Sequence, residues 1–220
     1  MMNPPGVQVK DTTLAYDHAL LFDQFSINFP AKQWTCLLGE SGVGKTTLLK
    51  LISGLLTIKT SNITNIDTCI EATDQKPLYN RVSHMAQDDL LVPWLNVFGN
   101  VLLSHRLRGT VTAEIKEKAK EVLANVGLTA QINSKIDLLS GGMRQRVSLA
   151  RTLIENKPIV LMDEPFCNLD ALTRLKLQDL SAELLHNHTV ILVTHDPIEA
   201  LRLGHIIKIL RGLPVRVSQP

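Results

Sequence analysis

Eight consecutive residues, Gly39-Glu40-Ser41-Gly42-Val43-Gly44-Lys45-Thr46, carry the most specific chemistry of the chain. They match G-x-x-x-x-G-K-S/T, in which glycines let the backbone fold tightly so that consecutive N–H groups face phosphate oxygens. A helix opening directly after the loop adds its positive end to the same anion. Lys45 can reach the outer phosphates, the Thr46 hydroxyl suits Mg2+, and Thr47 follows on the new helix. An ordinary Gly-rich turn is the structural alternative, and the full motif between a strand and a helix weighs against it. A nucleoside triphosphate is implied, but not the use of its energy. The second chemical element is Ile159-Val160-Leu161-Met162-Asp163-Glu164, an apolar strand ending in two acids. Ionised carboxylates there are costly unless a charge meets them, and Mg2+ bridged by phosphates does so. Asp163 is the expected metal-side carboxylate, and Glu164, one residue on, is placed to polarise an attacking water.

These residues need a strand before the loop, a helix after it and a buried strand under the acids. The pattern supplies a strand over 33–38, a helix over 45–53, an apolar strand over 159–162, a leucine-striped helix over 171–185 and another buried strand over 189–193. A short strand is predicted over 81–86. Helices are predicted over 96–108 and 113–126, the second with Glu114 and Lys118 as an i, i+4 pair. Continuous apolar strands separated by helices indicate an α/β fold, a mostly parallel sheet flanked by helices. Residues 7–16 and 25–29 read as an N-terminal antiparallel β element, and residues 88–139 as a helical insertion. The stretch 59–74 is polar and β-branched and takes no assignment. The 220 residues are expected to form a single domain.

Shortly before the acidic strand stands Leu139-Ser140-Gly141-Gly142-Met143-Arg144-Gln145-Arg146. Ser140 and the two glycines open a helix, which makes a second anion-binding helix end in one chain. One triphosphate needs only one such end. With the loop and the paired acids, this run strongly resembles the LSGGQ signature of the ATP-binding cassette ATPases, a P-loop NTPase family. The resemblance implies that two copies sandwich two ATP molecules head to tail. Each ATP then lies between the phosphate loop of one copy and Ser140, Gly141, Gly142 and Met143 of the other. It further implies that Tyr16 stacks on adenine, that Gln87 contacts Mg2+ and the attacking water, and that Asn168-Leu169-Asp170 is a loop crossing the dimer interface. His195, in Val193-Thr194-His195-Asp196, matches the switch histidine that contacts the γ-phosphate. A strand-end tyrosine and a surface glutamine remain open alternatives at Tyr16 and Gln87. For His18, His84, His105, His186, His188 and His205, surface or packing roles are expected.

Met143 stands where the signature usually has Gln. Together with RQRVSLARTL and DEPFCNLDALTR it looks most like the importer branch for nitrate, sulfonate and taurine, which also takes up the pyrimidine precursor of thiamine. Glu40 puts an acid near phosphate, which weakens affinity unless its side chain points to solvent. Asn168 stands where a small residue is common. The resemblance implies a Mg-dependent ATP hydrolase that powers a membrane importer of a small solute. Its partners are then transmembrane permease subunits, a second copy of itself and, indirectly, a periplasmic or lipid-anchored solute-binding protein. The apolar, Pro-stiffened run Asp88-Asp89-Leu90-Leu91-Val92-Pro93-Trp94-Leu95 is the expected permease-docking segment, unless Trp94 belongs to the core.

Composition narrows the alternatives. With 45% hydrophobic residues the chain can bury a core, and 23 Lys and Arg against 21 Asp and Glu exclude a polybasic nucleic-acid arm. Aromatics at 4% speak against a base-stacking surface, so no nucleic-acid partner is expected. Three scattered cysteines suggest neither zinc nor a redox couple, and Cys36 in an apolar run reads as buried. No apolar run reaches the roughly 18 residues of a membrane span, and the opening MMNPPGVQVKD does not read as a signal peptide. A cytoplasmic location, peripheral on the inner face of the plasma membrane, is expected, without a C-terminal regulatory domain. Competing functions are an exporter ATPase, which shares the same motor, a soluble cassette ATPase acting on DNA or ribosomes, and a P-loop kinase for a small metabolite.

Overall fold

Apolar residues on one face of two long strands begin the first unit. The computed structural model describes residues 3–16, 19–56 and 63–218, so that His18 and residues 59–62 lie outside the described set. β1 (Val7–Tyr16) pairs antiparallel with β2 (Ala19–Phe29), whose Phe25, Ile27 and Phe29 are buried in alternation. Bulges near Asp11 and Gln24, both at positive φ, break the alternation in mid-strand. β4 (Ile63–Ala72) covers the other edge of β1, so the sheet order is β2-β1-β4. Only Ile63 and Ala72 of β4 are fully buried, which is why its sequence carries no strand pattern.

The second sheet contains β3 (Trp34–Gly39), β5 (Val82–Met85), β6 (Ile159–Asp163), β7 (Thr189–Val193), β8 (Ile206–Arg211) and β9 (Arg216–Ser218), in the order β5-β6-β7-β3-β8-β9. β6, β7, β3 and β8 pair in parallel, and β9 adds an antiparallel edge. Every residue of β6 and β7 is buried, as expected for strands covered on both faces. α1 (Lys45–Ser53) buries Leu48, Leu49, Leu51 and Ile52 in the same core as Phe22, Phe29, Leu161 and Ile191. α7 (Pro197–Leu203) packs against β3. Cys36 is fully buried, and that burial pushes its thiol up to about 12, with the Glu199 carboxylate adding to the effect.

The chain folds as two compact units, one of residues 1–84, 157–164 and 186–220, the other of residues 85–156 and 165–185. The second unit carries α2 (Val97–Val101), α3 (Leu103–Leu107), α4 (Ala113–Asn125), α5 (Gly141–Ile154) and α6 (Ala171–Leu184). The single helix expected over 96–108 is broken at Leu102, which takes ψ 0 with its side chain buried. Gly99 and two valines make α2 too weak a helix former to resist that turn. On α4 the ion pair is Lys120–Glu117 at 2.7 Å rather than the expected Glu114–Lys118. Among the described residues no helix is long and apolar enough to cross a membrane.

His84 on β5 yields a pH prediction. Burial first, and then Lys50, push its imidazole from 6.5 to about 4, and its Nε2 is buried without a partner. The unfolded chain accepts a proton below pH 6.5 that folded His84 refuses. Its contribution to stability is therefore full above pH 6.5 and is lost as the pH falls toward 4. Urea denaturation of His84→Gln across this range should give a flatter stability curve than the wild-type protein.

Candidate functional site

Parallel strands bring their carboxyl ends to one edge of a sheet, and that edge assembles the site of the first unit. β6, β7 and β3 are neighbours, so Asp163, the residues after Val193 and the loop after Gly39 emerge side by side. The loop reverses direction and opens α1 at Gly44, whose φ of 105 lies where a side chain is strained. Its missing side chain also makes room for Leu21, which would stand 3.2 Å from a Cβ there. No side chain caps α1 and no acid lies in its first turn, so its positive end is open to an anion. Lys45 is buried, and its ammonium donates to the carbonyls of Gly39 at 2.7 Å and Glu40 at 2.8 Å. Burial pulls its pKa below the ordinary value, opposed by the Glu164 and Asp163 carboxylates. Glu40 is exposed, as are Ser41 and Gly42, whereas Val43 is buried beneath the loop. Thr46 and Thr47 are half-buried on the first turn of α1. Tyr16, at the end of β1, packs partly buried against the core.

Asp163 is 1% exposed. It shares a hydrogen bond with the Thr46 side chain, and its Oδ2 is buried with no hydrogen-bond partner. Burial raises its pKa, and the Glu164 charge adds to that; the Thr46 bond, Lys45 and Lys50 oppose it. An orphaned carboxylate oxygen beside a hydroxyl is a donor set suited to a hard divalent cation such as Mg2+. Glu164 leaves the strand with φ 49, a left-handed conformation that costs a non-glycine residue roughly 1–3 kcal/mol. Its N–H is held by the Val193 carbonyl at 2.9 Å, and its Oε2 lies 3.2 Å from His195 Nδ1. Its carboxylate thus meets His195 while its charge still acts on Asp163.

The second unit holds the remaining predicted residues. Ser140 caps α5, its Oγ accepting from Met143 N at 3.3 Å. Gly141 is open, but a Cβ on Gly142 would stand 3.0 Å from the Asn168 carbonyl, so glycine permits a close approach there. Gln145, buried, donates to the Pro165 carbonyl at 3.0 Å. Asp170 caps α6 through Thr173 N at 3.0 Å, and hydrogen bonds to Thr173 hold its carboxyl below the usual range. That capping role is readable from Asp170-Ala171-Leu172-Thr173 in retrospect. Gln87 is exposed, and Trp94 is 82% exposed, so Trp94 is not a core residue.

The profile of the ABC transporter family matches residues 22–167. The chain belongs to this family. An uncharacterised ABC transporter ATP-binding protein of Haemophilus influenzae is 42% identical, over 94% of this chain and 82% of its own length. The aliphatic sulfonates import ATP-binding protein of Streptomyces avermitilis is 37% identical, over 98% of this chain and 82% of its own. A bacterial ABC transporter cassette solved as a dimer superposes with a TM-score of 0.81 at 28% identity, covering 97% of this chain and 98% of that one. The structure of an ATP-binding subunit of an ABC transporter has the same fold, with a TM-score of 0.82 at 22% identity, covering 97% and 89%. This ABC chain therefore binds ATP and hydrolyses it, on the α/β cassette fold expected from its motifs.

The cap at Ser140 complicates any mutation of the signature and can be measured separately. Ser140→Ala should lower the unfolding free energy by about 1 kcal/mol and Ser140→Gly by only a few tenths, since glycine is a tolerable cap. Chemical denaturation of the two variants without nucleotide checks this, and unchanged stability in Ser140→Ala would show that the cap contributes nothing.

Proposed function

We propose that the chain is the ATP-hydrolysing subunit of a membrane importer for a small solute, working as a head-to-tail pair of copies beneath transmembrane permease subunits. The observation that carries the pairing is that one chain presents two helix openings suited to anions, at Gly44 and at Ser140, in two different units. A single triphosphate uses one, so the second serves the ATP of the other copy. Import is supported by relatives that are aliphatic sulfonates import ATP-binding proteins, in Streptomyces avermitilis and Paracoccus denitrificans. Sulfonates are accordingly the first solutes to test for uptake, with a solute-binding protein as the indirect partner. The whole chain is read as one cassette with residues 88–139 as its helical insertion, acting at the inner face of the membrane.

The roles of the residues follow from their chemistry. Gly39 to Thr47 hold the triphosphate through backbone N–H groups, the Lys45 ammonium and the Thr46 hydroxyl, and Tyr16 stacks on adenine. Ser140, Gly141, Gly142 and Met143 close over the ATP of the other copy, with Asp170 in the loop between copies. Mg2+, when bound, is held by Thr46 and Asp163, with Gln87 as a third contributor, and neutralises phosphate charge. Glu164 orients and polarises the attacking water. His195, in contact with Glu164, positions that carboxylate and donates toward the γ-phosphate. Trp94 meets the permease.

Separating the two acids tests this reading. Glu164→Gln keeps shape and hydrogen bonding but removes the charge that polarises water, so ATP turnover should fall by about a hundredfold or more while ATP still binds. With hydrolysis blocked, ATP should trap the paired form, visible by size-exclusion chromatography. Asp163→Asn should instead weaken the Mg2+ dependence of ATP binding, read by titration with and without the metal. Near-normal turnover in Glu164→Gln without a trapped pair would reject Glu164 as the base.

A further inference from the structure

The segment of residues 88–95, with Asp88, Leu90, Pro93 and Trp94 exposed, is bonded at both ends. Upstream, Asp89 Oδ1 accepts from Leu91 N at 3.2 Å and Oδ2 from Arg144 Nε at 3.0 Å. Arg151, about two turns beyond Arg144 on α5, donates Nη2 to the Asp89 carbonyl at 2.7 Å and Nη1 to the Leu90 carbonyl at 2.8 Å. Downstream, the fully buried Asn100 accepts from Val92 N at 2.7 Å and donates to the carbonyls of Val92, Leu95 and Asn96 at 3.1, 3.3 and 3.1 Å. Between these anchors Leu90 sits at φ 45, a left-handed conformation disfavoured for a branched side chain. Leu90 is 64% exposed, so packing of its side chain does not hold it there. Two successive carbonyls there accept from one guanidinium. The planar fork of arginine suits that task, whereas lysine offers a single point charge. Burial pulls the pKa of Arg151 down against the Asp89 and Glu155 carboxylates, as for a charge held partly out of water, where hydrogen bonds are stronger.

We propose that Arg151 is a positioning residue, whose fork locks the strained backbone of Asp89 and Leu90 onto the signature helix α5, so that the exposed segment ending in Trp94 and the helix opened by Ser140 move as one body. A loose segment would absorb a displacement that a locked one transmits. The coupling half of the inference rests on Trp94 docking to the permease, as proposed above; the lock itself does not.

Amide exchange of the isolated subunit, followed by mass spectrometry across residues 88–95, tests the lock. Arg151→Lys keeps the charge and loses the fork, so exchange at residues 89–92 should rise about tenfold or more, the scale of one lost charged hydrogen bond. ATP binding should match the wild-type protein and serves as the folding control. Adding Leu90→Asn, a residue type that tolerates left-handed backbone, should return exchange toward the wild-type rate. If Arg151→Lys does not fold, Arg151→Gln, which keeps one amide donor but not the two-armed fork, should raise exchange in the same peptide. Wild-type exchange in the folded variants overturns the lock, and failure of Leu90→Asn to restore it overturns the role of backbone strain. With the permease bound, Arg151→Lys should lose about tenfold of the permease-stimulated ATP turnover and keep the unstimulated rate. Undiminished stimulation with raised exchange overturns the coupling role. If Trp94→Ala also binds the permease normally, the docking reading falls, and the coupling role with it, while the exchange result still decides the lock.

Discussion

Asp163 closes a strand whose every residue is buried, and one of its oxygens has no hydrogen-bond donor to meet it. An ionised carboxylate at that depth is destabilising by several kcal/mol unless a cation or a full set of donors surrounds it. The rest of the first unit is arranged around that demand. Lys45 and Lys50 lower the local cost, the Thr46 side chain satisfies part of the carboxyl group, and the strand order places the loop of Gly39 and the turn of His195 on the same sheet edge. The buried Asp163 oxygen beside the Thr46 hydroxyl is a donor set suited to a divalent cation, which would supply the missing partner.

The two anion-facing helix ends are chemically unequal. Gly44 leaves the first N–H groups of α1 without a side-chain cap, whereas Ser140 already satisfies the Met143 N–H of α5 with its own oxygen. A phosphate at Gly44 meets unpaired donors. At Ser140 it would meet a hydroxyl and the open Gly141 beside it. The two helix ends therefore differ in which donors they leave open, and only the first leaves its opening N–H groups without a side-chain cap.

In the second unit, an exposed apolar segment rests on a backbone held by side-chain hydrogen bonds. Trp94 and Leu90 stand out into solvent, yet the backbone under them is tied by Arg144, Arg151 and Asn100. Preorganisation of this sort would lower the ordering cost of any contact that the segment makes.

The local form of the glycine loop and of the acidic strand was legible in the sequence because spacing alone decides it. A loop of glycines followed by Lys45 and Thr46 must fold next to its own helix, and an apolar run ending in Asp163-Glu164 must end a buried strand. The extents of α1 and β7 were equally legible, since their apolar patterns are strong and their flanks are turn residues. What the sequence could not show is what depends on partners far along the chain. β4 is a strand because β1 offers it an edge, although its own residues are mostly exposed. The break at Leu102 is set by burial that outweighs weak helix propensity. The contact of His195 with Glu164, the left-handed turns at Glu164 and Leu90, and the reach of Arg151 to Asp89 join residues that no local pattern relates. Spacing along the chain determines which groups can bind phosphate; only the packed sheet and helices decide which of them face one another, because that depends on hydrogen bonds and burial between distant segments.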